Sequence, residues 1–570
     1  MNILRSYVRK YKKESIIAPA FKMLEAFFDL LVPLVVADCI DVGIAGNDNS
    51  YILRCFGILL GLAAIGLACS IIAQYFAAKS AVGLACDLRQ AMFDHIQTLS
   101  YTELDELGTD TLITRLTSDI NEVQNGWNMA LRLLLRSPFI VFGSMIMAFT
   151  IDRRCGLIFA AVIPLLAAVI ALIMRTCIPM FQKVQEKLDV LLRRTRENLT
   201  GVRVLRAFCK EQDEIDAFHA RNTALTQMNE KTGRINALMN PLTYAIVNIA
   251  AILLIRQGAV QVQLGIIQTG DVVALYNYIA QIIVELIKLA SLIVTINRSL
   301  ACARRVADVL AVQPSMTFGK ETDDPQETVL TFDHVSMTYP HAKEPALNDL
   351  NFMVKQGQTI GIIGPTGSGK STLVHLVDRF YDADQGTITM DGKNIRAYQR
   401  SSLRQMIGMV PQQAVLFKGT IRDNLKWGNE NADDETLWQA LSIAQAEDVV
   451  RRKAGGLNAE VEQEGRNFSG GQRQRLTIAR ALVRQPRILI LDDSASALDY
   501  ATDAKLRRAL RQLPMTVFVV SQRISGVRDT DQIIVLNDGE QVGLGTHEEL
   551  LKSCRVYQEI YASQGKGASV

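Results

Sequence analysis

The sequence predicts two domains of different fold class: an α-helical six-span transmembrane domain and, behind it, a C-terminal α/β domain. Three observations carry this. Apolar residues make up 49% of the 570 residues, high for a soluble chain, and they are concentrated in the first half. Six stretches there approach the roughly 20 apolar residues that a bilayer crossing needs. After Val329 the pattern changes to short apolar strands alternating with helices, the rhythm of a sheet covered by helices. The net charge of +3 is too small to argue for nucleic acid as a partner.

The six stretches are 16–40, 52–76, 137–151, 155–178, 238–254 and 272–294. The third is short and is expected to begin nearer Trp127, an interfacial or packing residue. An even number of crossings puts both ends on one side. The basic head (Arg5, Arg9, Lys10, Lys12, Lys13) assigns that side to the cytoplasm and reads as a helix lying on the inner membrane face. The turns near Asn47 and Gln263 are poor in Lys and Arg, as outer loops should be; Arg153 and Arg154 are a mild exception. No cleavable signal follows the head. Nine scattered cysteines without a CxxC read as reduced core and lipid-facing thiols.

Two segments, 78–100 and 182–206, are polar yet keep helical periodicity. Each would carry a membrane helix about 35 Å beyond the bilayer. Acidic elbows follow, TELDELGTD around Asp105 and KEQDEIDAF around Asp213. They fit either a solvated coiled coil or two loops that press on the second domain, and the presence of that domain favours coupling. A polar segment with two prolines, AVQPSMTFGKETDDPQET, marks a linker. The expected limits are 1–310 for the membrane domain, 311–326 for the linker and 327–570 for the second domain.

GPTGSGKS at 364–371 fits G-x-x-x-x-G-K-[ST], with a strand-like run before it and a helix-like run after it. Gly364, Pro365, Thr366, Gly367, Ser368 and Gly369 let the backbone wrap so that N–H groups face a phosphate, and the helix that includes Thr372 adds its positive end. Lys370 would reach the β- and γ-phosphates of ATP, and the Ser371 hydroxyl would ligate Mg2+. In RILILDDS, Asp492 ends a buried strand, where a carboxylate can hold Mg2+ through water.

These motifs define a P-loop ATPase, and NFSGGQRQRLTIARAL, starting at Asn467, narrows it. This segment resembles the signature of the ATP-binding-cassette family. The resemblance implies that Ser469, Gly470, Gly471 and Gln472 complete the nucleotide site of a partner cassette, so ATP is cleaved only at a seam between two chains. It also implies that Tyr339 stacks on adenine, that Gln412 contacts Mg2+ and the attacking water, and that SALD at 496–499 crosses between the cassettes. VEQEG at 461–465 resembles the loop that touches the coupling helices of exporters. Six spans with two long extensions ahead of a cassette are similar to the exporter class, a half-transporter with a lipid bilayer and a second half as partners.

Two positions depart from the family pattern. Asp493 stands where the family has the glutamate that polarises the attacking water, and its carboxylate stops roughly 1 Å short, a misplacement that can cost about a hundredfold in rate. Gln522 stands where the family has a histidine on the γ-phosphate, and glutamine cannot exchange a proton near neutral pH. The changes are either drift with activity retained or a degenerate site that binds ATP and cleaves it poorly. Because both fall on one nucleotide, the expectation is the degenerate-site subunit of a bacterial heterodimeric exporter.

Charges in the spans point to a cavity or to one another. Glu25 and Asp29 lie on one helical face and, lining a transport cavity, would favour cationic or amphipathic substrates; Glu285 and Lys288 are spaced to neutralise each other. The expected cargo is amphipathic: drugs, lipids or peptides. A homodimeric exporter with two active sites, an importer on the exporter scaffold and an ATP-gated regulatory module are the alternatives. No protease-like extension precedes the spans, which disfavours peptide maturation. The expected location is the bacterial inner membrane with both termini cytoplasmic.

Overall fold

The computed structural model describes residues 2–322, 330–494 and 496–565. The chain divides into two compact units, one of Met1–Gln97 with Thr109–Val312, the other of Thr98–Gly108 with Gln313–Val570. The boundary expected between 326 and 327 lies outside the described residues.

The first unit is all helix. The basic head forms Asn2–Lys10, and Lys12–Asp38 follows, continued by a wider π-helical turn over Cys39–Ile44. Asn49–Thr98 and Arg153–Thr200 run unbroken for 50 and 48 residues, so the polar segments do prolong the apolar ones as single helices. Prolines 164 and 179 are accommodated inside the second of these. The third apolar stretch is the helix Arg136–Ile151, preceded directly by Ile120–Leu133, which carries Trp127, so the helical path does begin earlier than the apolar run. Met239–Gln263 and Thr269–Ala311 complete the set.

Among the described residues, five helical stretches are long and apolar enough to cross a membrane. Lys12–Asp38, the first of the six expected, is not among them. Its physical difference is charge: Lys22, Glu25 and Asp29 sit in its middle. Around a core that includes Leu30, Ile140, Phe159, Leu275 and Tyr278, the outer faces turn apolar side chains outward. Leu53, Leu60, Leu157, Leu172 and Ile252 are 62–70% exposed, a surface suited to lipid rather than water.

The second unit is a sheet flanked by helices. Its strands are β1 (Leu330–Met337), β2 (Leu347–Val354), β3 (Thr359–Ile363), β4 (Gln385–Met390), β5 (Lys393–Asn394), β6 (Ile407–Val410), β7 (Gly419–Thr420), β8 (Glu460–Val461), β9 (Ile488–Asp492), β10 (Thr516–Val520), β11 (Gln532–Asn537) and β12 (Glu540–Gly545). Ten of them form one sheet in the order β5-β4-β1-β2-β12-β11-β3-β10-β9-β6. The segment β11-β3-β10-β9-β6 is parallel throughout, and β1 pairs antiparallel with β2 and β4. Parallel strands are buried on both faces, which is why β9 and β10 are apolar runs rather than alternations.

The acidic elbow around Asp105 folds as the short helix Tyr101–Leu107, capped by Ser100 and Glu103 in a capping box. It clusters with the sheet domain although the sequence puts it between two membrane helices. Tyr101 packs on Phe380 with ring centroids 4.4 Å apart, and Tyr381 donates to Asp105 at 2.5 Å.

Candidate nucleotide site

The site is built where β3 and β9 end side by side on either flank of β10. β3 runs into the glycine-rich loop, and the loop opens the helix Lys370–Val377. Gly369 takes φ +93° at the N-cap, and a Cβ there would lie 2.7 Å from the Ala346 carbonyl oxygen. Gly364 passes so close to β11 that a Cβ would meet the Leu536 carbonyl at 2.1 Å. Only glycine satisfies both positions.

A cavity of about 320 Å3 opens at this end of the sheet. Thr366, Gly367, Gly369, Lys370, Ser371 and Thr372 line it from the loop and helix, Asp492 and Asp493 from the end of β9, and Tyr339, Gln412 and Gln522 from three further segments. Gly364, Pro365 and Ser368 stand behind that lining: Lys370 Nζ donates to the carbonyl oxygens of Gly364 (3.0 Å) and Pro365 (2.6 Å) and lies 3.5 Å from Ser368 Oγ. Two lining residues carried no sequence signal, Ala346 and Val520, because they contribute only backbone and an apolar wall.

Lys370 is 8% exposed, and burial lowers its pKa below the usual lysine range. Burial raises the carboxyl of Asp492, and burial followed by the neighbouring Asp492 raises that of Asp493. Ser371 Oγ donates to Asp492 Oδ1 at 3.2 Å. Asp493 sits in the left-handed region at φ 45° and accepts from Gln412 Nε2 at 3.4 Å. Tyr339 Oη lies 3.1 Å from Thr372 Oγ1. Hydroxyl, amide and carboxylate oxygens converging on one wall are the donor set that a small hard cation such as Mg2+ prefers, so the residues present fit that ion.

The signature segment lies elsewhere. Ser469 caps the helix Gly470–Val483, accepting from the Gln472 backbone N–H at 3.4 Å, and Gln472 Oε1 accepts from Ser469 N–H at 3.0 Å. Ser469 and Gly470 are exposed, and none of Ser469, Gly470, Gly471 and Gln472 lines the cavity. The structure therefore brings the phosphate-loop residues together with Tyr339, Gln412, Asp492, Asp493 and Gln522, and leaves the signature apart.

A membrane-embedded helical unit fused to a P-loop ATPase domain defines the class as a nucleotide-powered membrane transporter. Residues 15–286 match the ABC transporter transmembrane region, and residues 347–496 match the ABC transporter ATPase domain. An uncharacterized ABC transporter ATP-binding protein of Mycobacterium tuberculosis is 36% identical over 576 residues, covering 100% of this chain and 99% of its own. YfiB of Bacillus subtilis, also an uncharacterized ABC transporter ATP-binding protein, is 34% identical and covers 98% of each chain. A bacterial Atm1-family ABC exporter solved with ATP bound superposes with a TM-score of 0.80 at 23% identity, covering 97% of this chain and 99% of that one. The chain belongs to the ABC transporters. It is a half-transporter with the exporter-type fold, one membrane domain and one ATP-binding domain in a single polypeptide.

Proposed function

We propose that this chain is one half of an ATP-driven exporter of amphipathic small molecules, and that it works as a heterodimer with a different half-transporter. Its own phosphate loop holds ATP at a degenerate site, and its signature helix serves the partner's catalytic site. The observation that carries this reading is the meeting of Asp493 and Gln522 in one cavity with Lys370, Ser371 and Asp492. Both departures from the family pattern then act on the same nucleotide.

The chemistry follows from the side chains. The loop N–H groups and Lys370 bind and orient the phosphates, and Tyr339 stacks against the base. Arrival of phosphate gives the Lys370 ammonium anionic partners to replace the carbonyl oxygens of Gly364 and Pro365 that hold it now. Ser371, Gln412 and Asp492 would hold Mg2+, which neutralises phosphate charge when bound. Asp493 is the group available to orient water, but its carboxylate is one methylene short and is tied toward Gln412. Gln522 donates a hydrogen bond and exchanges no proton. ATP stays bound and is cleaved slowly.

Ser469 and Gly470, exposed at a helix N-terminus, are free to cap the γ-phosphate of a partner's ATP. The short helix Val202–Ala207, just ahead of the second elbow, supports a two-chain assembly, since Val204 and the adjoining Phe208 are 61% and 73% exposed. Lys12–Asp38 serves as a sixth crossing, its Lys22 neutralised by Glu25 at 2.6 Å. The limits 1–310, 311–326 and 327–570, both termini in the cytoplasm and a bacterial inner membrane complete the reading.

The test is ATP turnover by the purified chain alone and with the second half-transporter. Slow turnover alone and fast turnover together are expected. Robust turnover by a homodimer of this chain would overturn the degenerate-site assignment.

A further inference from the structure

Six ionisable side chains meet inside the membrane unit. Lys22, Glu25 and Asp29 come from Lys12–Asp38, Arg136 from Arg136–Ile151, and Glu285 and Lys288 from Thr269–Ala311. The loop ends of the first and last of these are held together, with Gly270 N–H donating to Asp41 at 2.7 Å. Counted from Ile44, Ile151 and Thr269, the residues Asp29, Arg136 and Glu285 all lie about 23 Å down their helices. That level lies in the inner part of a hydrocarbon core of about 30 Å, where charge is tolerated only when paired or facing water.

Four of the six are paired and covered. Lys22 meets Glu25 at 2.6 Å and Arg136 meets Glu285 at 2.7 Å, with side-chain exposures between 4% and 13%. Ser137 Oγ donates to the second Glu285 oxygen at 2.7 Å. The other two are open: Asp29 is 42% exposed and Lys288 43%. Each is tied on one side, Asp29 to Arg136 at 3.0 Å and Lys288 to Glu285 at 2.9 Å. Three acids and three bases cancel, so a purely cationic ligand meets no uncompensated negative field. What the cluster leaves open to its surroundings is one carboxylate and one ammonium, on two different helices.

We propose that Asp29 and Lys288 form a substrate subsite for amphipathic molecules whose polar end is zwitterionic, an inference that rests on the transport reading proposed for the chain. The ligand's cation lies on Asp29 and its anion on Lys288. A zwitterion replaces solvent at both open charges at once, whereas a single ion leaves the other charge desolvated and unmatched.

Three probes with the same tail separate the cases: decylphosphocholine, decyltrimethylammonium and decyl sulfate, each below its micelle-forming concentration. They are added to the reconstituted transporter, this chain with its partner half, and stimulation of ATP turnover is read. The zwitterion is expected to act at about tenfold lower concentration than either single ion. Asp29→Asn removes that advantage and moves the preference toward the anion. Lys288→Gln moves it toward the cation, and Lys288→Arg retains it. The double variant Asp29→Asn with Lys288→Gln keeps the cluster neutral and responds equally weakly to all three probes. A cation as potent as the zwitterion, or a ranking untouched by both single variants, overturns the subsite. Turnover with no response to any probe assigns the two side chains to contact with the partner half, which also overturns the subsite but leaves the transporter standing. Absence of ATP turnover with any partner removes the transport reading and the subsite with it.

Discussion

The phosphate loop and the signature helix belong to one ATP-binding domain, yet they are built in opposite ways. The loop is folded inward: Lys370 and Ser368 are buried, the glycines at 364 and 369 have no room for a side chain, and eleven side chains or backbones of predicted importance line a single cavity. The signature is presented outward. Ser469 and Gly470 are exposed, and a Cβ on Gly470 would touch nothing within 4 Å. The two departures from the family pattern fall only on the inward-folded side. That contrast is what the proposed unequal pair rests on: the departures touch the side that would keep its own nucleotide and spare the side that would serve another.

The sharpest way to break this comparison is on the outward side. Ser469→Glu puts a carboxylate where a partner's γ-phosphate is expected, and turnover of the assembled pair should fall about a hundredfold or more, the scale of losing a key phosphate or oxyanion donor. Unchanged turnover in an ATPase assay would show that the signature serves no working site. Lys370→Ala, on the inward side, should abolish nucleotide retention at this site and reduce transport. It should slow pair turnover by less than about tenfold if, as proposed, the catalytic nucleotide is the partner's. Nucleotide trapping and turnover measured on one preparation separate the two quantities.

Asp493→Glu combined with Gln522→His sharpens the comparison by repairing the inward side. A gain in turnover of up to about tenfold at this site is expected, since a restored reach of roughly 1 Å has consequences of that order or larger. No gain would mean that the defect lies elsewhere or is absent. The smallest effect concerns the footing of the phosphate helix. Asp378, its C-cap, is buried against Arg404 at 2.6 Å, and burial pushes its carboxyl up to about 6. An unfolded aspartate titrates near 4, so between about pH 4 and pH 6 the native state binds more protons. Stability therefore falls as pH rises through that window, by about 1 kcal/mol between pH 5 and pH 7. Thermal unfolding of the full chain at the two pH values checks this, and Asp378→Asn should flatten the difference.

Much of the site was legible because its parts are contiguous. The glycine loop, Lys370 and Ser371 occupy eight consecutive positions, and the strand leading to Asp492 is a short apolar run whose end is marked by the carboxylate. The extended helices were legible too, since periodicity continues through the polar segments of Asn49–Thr98 and Arg153–Thr200. What escaped was contact between distant elements. Arg136 and Glu285 are 149 positions apart, and neither helix alone shows that one guanidinium faces carboxylates from two others. Glu25 and Asp29 read as an acidic face of their own helix until Arg136, from another helix, is placed beside them.

The sequence by itself determined the division into an apolar helical half and a cassette and the identity of the phosphate loop, and it raised the expectation that Asp493 and Gln522 depart from the family pattern. These depend on composition, periodicity and the backbone demands of neighbouring residues, all local properties. Only the tertiary structure decided that Asp493 and Gln522 share a cavity with Lys370, that Ser469 stays outside it, and that the membrane charges balance. Those outcomes depend on how strands and helices pack across long separations, where a rotation of one element by a single residue would turn the same side chains to another face.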